Sequence, residues 1–408
     1  MPNGNCQLLN DSSAMISEEE ARDTILRTIS PLPVMQVALA DALDLFVARS
    51  VTASIALPTF DNSAMDGYAV IAACARKGAR LNVIAEQPAG ISRSLRVAAS
   101  EAVRIFTGAP MPMGADAVVM QEETTRDGNS IIIEAENVAA GEFVRKKGSD
   151  LAVDQQIVGV GERLCPARLG LLASQGSASI DVCRRSSVAI ITTGDEIVAP
   201  GEQLRPGEIF ESNGLMLAAL AKRAGATVTM RSHARDEFAD LCAALREGIK
   251  SDALIISGGV SVGERDLVRE ALKEMGVQVD LWRVKVKPGK PFLFGRHAGC
   301  AIFGLPGNPV SAFVTFMIFV RPALLRMMGA NDAALRLHQV LARLDHDVVG
   351  DEIRPHYLRG RLVQGRFAAV GRQESHALFG LARANALLRV APGENFAAGS
   401  EATVLLIN

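Results

Sequence analysis

The sequence predicts an α/β multidomain protein: a doubly wound, mostly parallel α/β domain, a β-rich domain, a small bridging domain and a C-terminal β-barrel-like domain. Three observations carry this reading. From residue 187 strand-like apolar runs alternate with helical periodicity, as a parallel sheet covered on both faces requires. Between 56 and 150 the pattern is short strands separated by polar, glycine- and proline-bearing loops. Past 330, strand-like runs return with turns between them. The expected segments are 14–34 (a helix packing on the α/β domain), 35–55 with 151–185 (bridging), 56–150 (β-rich), 186–330 (α/β) and 331–408 (C-terminal β).

Composition limits the classes. A chain of 408 residues suits two to four domains, and 49% hydrophobic with 22% charged residues fits a globular protein. Net charge is −2 and aromatics are 4%, so neither a basic nucleic-acid surface nor stacking platforms for single strands are expected. The apolar run 312–320 stops at Arg321-Pro322, too short for a bilayer, and residues 1–13 lack the basic start and apolar core of a signal peptide. A cytoplasmic protein is expected. Cys6, Cys74, Cys165, Cys183, Cys242 and Cys300 are scattered without a C-x-x-C, so buried thiols are expected rather than zinc or disulfides. Any metal would be a hard cation held by carboxylates and phosphate.

In chain order, Ser17 to Glu20 reads as a capping box opening a helix with Ala21, Ile25 and Ile29 on one face. A second helical piece is expected at 39–46 and a strand at 51–55. The loop 58–69 concentrates Asp61, Asn62, Ser63 and Asp66, although an Asx-rich turn ahead of a strand accounts for it equally well. Runs 117–120 and 131–133 flank Asp127-Gly128-Asn129 as a hairpin. Residues 107–112 form a stiff loop presenting the Thr107 hydroxyl. Residues 145–150 place three cations before Asp150, a pattern that also fits a solvated face. Pro166 opens a helix closed by Gly176. Strands follow at 188–191, 228–231, 254–256 and 302–303, with helices at 215–223, 237–249, 266–275 and 310–328. Further strands are expected at 340–344, 358–363, 386–390 and 403–407.

Three loops between 257 and 311 dominate the α/β half: SGGVSVGERD (257–266), KVKPGKP (285–291) and GLPGNPVS (304–311). Glycine loops between strand and helix bring backbone N–H groups to an anion. Lys287 and Lys290, fixed by prolines, add cations, so a multiply charged anion is the expected ligand. Any one such loop is as readily a steric turn, and neither a dinucleotide nor a Walker A fingerprint is present. Glu196, Asp236, Asp266 and the loop from Pro306 to Pro309 all follow strands, so they converge beyond the carboxyl edge of the sheet. Cations and a hydroxyl at 354–360 and 371–376 read from sequence as an ordinary β surface.

At these residues the chain resembles the molybdopterin molybdenumtransferases, the MoeA and gephyrin E-domain family. The matching stretches are DNSAMDGYA (61–69), TGAPMP (107–112), RKKGSD (145–150), TGDE (193–196), SGGVSVGERD (257–266), KPGKP (287–291) and LPGNPVSA (305–312). They span most of the chain in family order. The resemblance implies an enzyme that inserts molybdate into adenylated molybdopterin, hydrolysing the adenylate and releasing AMP. It implies an α/β domain holding the pterin and its phosphate, through the glycine loop with Ser261 among others, and Asp266 and Glu196 near the adenylate and a Mg2+ ion. It implies Lys287, Lys290, Ser311, Arg359 and Ser375 on the molybdate side, where cations and hydroxyls replace water around an oxyanion. Asp66, Thr107 and Asp150 match site residues of the β-rich domain. A homodimer with sites shared between subunits is implied, as is contact with the molybdopterin adenylyltransferase that precedes it. Arg283 stands where lysine is frequent, and Glu211 where aspartate is frequent. Two other readings are a molybdopterin adenylyltransferase of the same α/β fold, and a non-catalytic clustering scaffold. The extra domains argue against the first, and the lack of a second catalytic domain and long linker against the second.

Overall fold

The computed structural model describes residues 15–91, 93–259 and 267–407. The chain forms two compact units: Met1–Arg49, Val160–Leu169 and Ala178–Asn408 in one, Ser50–Gly159 and Gly170–Ser177 in the other.

The larger unit is built on a six-stranded sheet. Its order is Thr227–Ala234, Ser187–Thr193, Ala253–Ser257, Cys300–Leu305, Leu293–His297, Gln278–Trp282. The first four strands are parallel and the last two antiparallel. The antiparallel edge is absent from the sequence expectation, because Lys285 to Pro291 interrupts the apolar pattern between its strands. Alternate residues of Ser187–Thr193 serve opposite faces. Val188 and Ile190 join a core with helix Asn213–Arg223 and the helix beginning at Pro309. Ala189 and Ile191 pack toward Phe238–Gly248 and Leu267–Glu274. Each fully buried aliphatic or phenyl side chain contributes about 1.5–3 kcal/mol.

The helix from Pro309 runs to Met327, and 89% of its most apolar 18-residue stretch is buried, although its length and that stretch's mean hydropathy of 1.6 would suit a membrane span. Its middle, Phe316–Val320, widens into a π turn in which Arg321 N–H reaches back to Phe316 O. Pro322 follows and lacks an N–H, so the ladder cannot run through unchanged. The capping box forms as expected: Ser17 Oγ accepts from Glu20 N–H at 3.1 Å, and Glu20 accepts from Ser17 N–H at 2.9 Å. Glu18, 4% exposed, accepts from Tyr357 Oη at 2.6 Å and Arg389 Nε at 3.0 Å. Those two residues lie on strands of a closed five-stranded barrel: Gln339–Leu344, Arg366–Ala369, His356–Val363, Ala386–Val390, Glu401–Leu406. Gly360 is required there, because a Cβ would sit 2.1 Å from the buried Phe367 ring.

Two local expectations are corrected. Residues 39–46 hold only a 3-10 turn, Leu39–Asp41, before Phe46 and Val47 pair in bridges with Arg163 and Val182. The apolar spacing that suggested a helix belongs to a turn whose Leu39, Ala42 and Leu45 are buried. In the smaller unit the hairpin joins Thr124–Asp127 to Ser130–Ile133, whereas Ala117–Met120 pairs with Gly67–Val70 at the opposite edge. That unit's sheet runs Ala117–Met120, Gly67–Val70, Glu101–Ile105, Arg80–Gln87, Ser130–Ile133, Thr124–Asp127, with its core on both faces.

Candidate functional site

The parallel strands end together at Thr193, Ala234, Ser257 and Leu305. The two glycines after Ser257 lie against Thr193 at the neighbouring strand end. Gly258, at φ +100°, would place a Cβ 2.5 Å from Thr193 O, so no side chain fits there. Its N–H donates to Leu305 O at 3.2 Å. Asn213, at the start of its helix, donates to Ser257 Oγ at 3.0 Å and Gly307 O at 2.6 Å, tying two loops to one helix start. Ser261 and Asp266 lie outside the described residues.

Carboxylates gather at one corner of this edge. Asp236 N–H donates to Asp195 Oδ1 at 3.0 Å. Burial raises the Asp236 carboxyl above the ordinary carboxylate range, with repulsion from Asp195 and Glu196 adding to it. Among the described residues no set of three carboxylate, imidazole or thiol groups stands ready to hold a metal.

The other corner is cationic. Lys287 N–H donates to Pro355 O at 2.9 Å, and Tyr357 N–H to Lys287 O at 2.7 Å, so the lysine loop joins the barrel strand His356–Val363 as an added rung. The Lys287-Pro288 peptide is cis. Gly289 is pressed against the helix that Pro309 opens, where an added Cβ would lie 2.5 Å from Thr315 Cγ2 and 3.9 Å from Ser311 O. Lys290 is exposed and its carbonyl accepts from Val284 N–H at 3.2 Å. Asn308 Nδ2 donates to Ser375 Oγ at 3.0 Å, and Val310 N–H to Ser375 O at 3.1 Å. Arg359 is fully buried. Its terminal nitrogens donate to Glu374 O and Arg372 O, its Nε finds no partner, and burial lowers its pKa. No carboxylate neutralises it within ion-pair distance among the described residues. A buried guanidinium in that state is costly unless an anion reaches it.

The smaller unit carries its own cluster. Asp66 Oδ1 accepts from Thr107 N–H at 2.7 Å and Thr107 Oγ1 at 2.8 Å, which hold its carboxyl below the usual range. Asp61 accepts from Lys147 N–H at 2.8 Å and Lys146 Nζ at 2.9 Å, with the same effect. Met111 N–H donates to Asp61 O, Gly108 N–H to Ser63 O and Gly148 N–H to Pro58 O, at 2.9, 2.8 and 3.0 Å. Three loops far apart in sequence therefore form one surface, with Asp150 at its edge.

Comparison with known proteins matches three successive regions of the chain. Residues 16–176 match the MoeA N-terminal region (domain I and II), 189–326 a probable molybdopterin binding domain, and 342–407 the MoeA C-terminal region (domain IV). Molybdopterin molybdenumtransferase 2 of Mycobacterium tuberculosis (strain ATCC 25618 / H37Rv) is 37% identical over 92% of this chain and 95% of its own. The chain belongs to the molybdopterin molybdenumtransferase family. The Haemophilus influenzae molybdopterin molybdenumtransferase is 32% identical over 96% of this chain and 98% of its own. The molybdopterin biosynthesis MoeA protein of Pyrococcus horikoshii OT3 superposes with a TM-score of 0.84 at 26% identity, covering 96% and 100% of the two chains.

Within this molybdenumtransferase fold, Ser375 is tied to the turn from Pro306 to Pro309 through Asn308 and Val310, and Arg359 donates to the carbonyls of Arg372 and Glu374 just before Ser375. Gly289 of the lysine loop packs by Thr315, and Asp236 is joined to Asp195 next to Glu196. Asp66, Thr107 and Asp150 belong to the other unit. Of the two departures, Glu211 accepts the first-turn N–H of Gly214 at 2.6 Å and pairs with Arg231 at 3.6 Å, so it serves the helix start. Arg283 sits at φ +71° with its Nε buried and unpartnered. Sequence reading missed Asn213 and Asn308 as ties between loops, and Asp351 altogether. An asparagine directly before an apolar helix was the available signal for the first two; Asp351 carried none beyond a turn-like G-D-E.

Proposed function

We propose that this chain inserts molybdate into adenylated molybdopterin with release of AMP, as a transferase of molybdenum cofactor biosynthesis. The carrying observation is Arg359, a fully buried guanidinium with an unpartnered Nε, whose terminal nitrogens end on Arg372 O and Glu374 O directly before Ser375. Such a cation, with the hydroxyl of Ser375, suits a tetrahedral dianion, since charge-assisted bonds to cations and hydroxyls replace its hydration. The molybdate is assigned to Lys287, Lys290, Ser311, Arg359 and Ser375. The pterin phosphate is assigned to the backbone of Gly258 and of the Pro306 to Pro309 turn, with Ser261.

The adenylate is assigned to the carboxylate corner. Asp195, Glu196 and Asp236 bring carboxylate oxygens, the donors a hard divalent cation takes, to this corner. Glu196 and Asp266, with Asp236 nearby, would hold Mg2+, which neutralises phosphate charge when bound. Asp66, kept ionised by Thr107, orients water toward the adenylyl phosphorus. One water proton passes through Asp66 to solvent as the water oxygen bonds to that phosphorus. The phosphoanhydride P–O bond breaks with its electron pair leaving on the molybdopterin phosphate, and AMP and molybdopterin phosphate separate. Thr107 and Asp150 complete that wall. As the family resemblance implies, the reading includes a homodimer whose sites draw on both copies, working in the cytoplasm on substrate made by an adenylyltransferase.

The test is AMP release from adenylated molybdopterin with and without molybdate, on wild type and Lys290→Ala. Molybdate-dependent release, with a raised molybdate requirement in the variant, supports the reading. Release indifferent to both overturns it.

A further inference from the structure

Lys287 is already engaged in an ion pair. Its Nζ lies 3.3 Å from Asp351 Oδ2, and Arg354 reaches the same oxygen at 3.1 Å. The other oxygen, Asp351 Oδ1, accepts from Ile353 N–H at 3.1 Å and Arg354 N–H at 3.0 Å. With both oxygens occupied, this carboxylate is fixed in place while the Lys287 ammonium remains part-exposed. Backbone bonds from Lys287 to Pro355 and Tyr357 hold the two segments together, so the pair does not depend on long side chains finding each other. Lys287 and Arg354 thus share one carboxylate, Asp351, just before the barrel strand His356–Val363.

We propose that Asp351 is a positioning residue, the resident counter-ion of the oxyanion site. It holds Lys287 at the mouth of the site and cancels part of its charge, so simple dianions such as sulfate bind weakly. This rests on the reading of Lys287 as an oxyanion ligand. Removing the charge while keeping the acceptor should release a full cation. One such charge at screened, part-exposed distance corresponds to about five-fold in affinity.

The experiment is calorimetric titration of the full-length chain with sodium molybdate and, separately, sodium sulfate. Asp351→Asn is expected to bind both about five-fold more tightly. Asp351→Ser, whose hydroxyl still accepts the turn N–H, serves if the first variant folds poorly and is expected to behave alike. In a Lys287→Ala background the gain should vanish, as it must if Asp351 acts through Lys287. Unchanged or weaker binding in both Asp351 variants, with Lys287→Ala still impaired, overturns the proposal. So does a gain that persists without Lys287. Oxyanion binding indifferent to Lys287→Ala and Lys290→Ala sinks instead the site assignment beneath it.

Discussion

Asn308 donates through Nδ2 to Ser375 Oγ at 3.0 Å, so the turn that ends the central strand and the loop of the barrel share one hydroxyl. That hydroxyl keeps a hydrogen of its own to give. Ser375→Ala should raise the molybdate concentration for half-maximal AMP release by about ten-fold, the value of one charge-assisted bond. The melting temperature should stay put. An unchanged molybdate requirement would remove Ser375 from the site.

Asp66 and Thr107 present a second test. Asp66→Asn keeps the shape but gives up the charge that Thr107 stabilises, and AMP release should drop by at least about 100-fold. Subunit exchange then asks where the site lies. Asp66→Ala mixed with Lys290→Ala, assayed at a molybdate concentration too low for Lys290→Ala to turn over, should recover about a quarter of wild-type activity when half the dimers are mixed and sites draw on both copies. Absence of recovery, with mixed dimers verified by mass, would place each site within one chain.

His356 provides a pH prediction. It is 7% exposed, its Nδ1 has no partner, and burial, reinforced by the Lys287 cation, pushes its pKa down to about 4. The unfolded chain takes up this proton near pH 6.5, whereas the folded one waits until about 4. The stabilising contribution is therefore complete above 6.5 and is lost progressively as pH falls through the window, by up to about 1.4 kcal/mol per pH unit. His356→Gln should flatten the dependence of the urea midpoint on pH between 6.5 and 4. Parallel curves for the two proteins would contradict this.

Tyr357 supplies a stability test. Its hydroxyl is one of two donors to Glu18, whose carboxylate is 4% exposed. Tyr357→Phe leaves that carboxylate with less compensation and should cost about 1–3 kcal/mol, read as a lower urea midpoint with unchanged slope. An unaltered midpoint would show that Arg389, with Arg22 at 4.0 Å, satisfies Glu18 without the tyrosine.

Where local chemistry decides structure, the sequence was readable. Ser17 and Glu20 form the box their spacing implies, and Gly176 and Gly225 end helices at φ +78° and +95°. The four parallel strands announced themselves as short apolar runs between helices. The antiparallel edge strands and the hairpin were harder. Their partners are chosen across the sheet, and an apolar run such as Ala117–Met120 does not encode which neighbour it will meet. The site divides likewise. Lysines between prolines and glycines after strands are visible locally. Arg359 read as surface because nothing local reveals a guanidinium at 0% exposure, and Asp351 acquires its meaning only when the chain returns beside Lys287.

The helix Pro309–Met327 has a consequence for biogenesis. Nineteen residues, with a mean hydropathy of 1.6 over their most apolar 18, form, outside this protein, a segment that lipid would accept. Inside it, the sheet and the N-terminal helix take the place of acyl chains. As the segment leaves the ribosome, all the parallel strands of the sheet have already been synthesised, including Cys300–Leu305 immediately before it. The order of synthesis thus provides a protein surface for the segment when it emerges, and a mutation that delays assembly of the sheet would hand this helix to membranes or to aggregation instead.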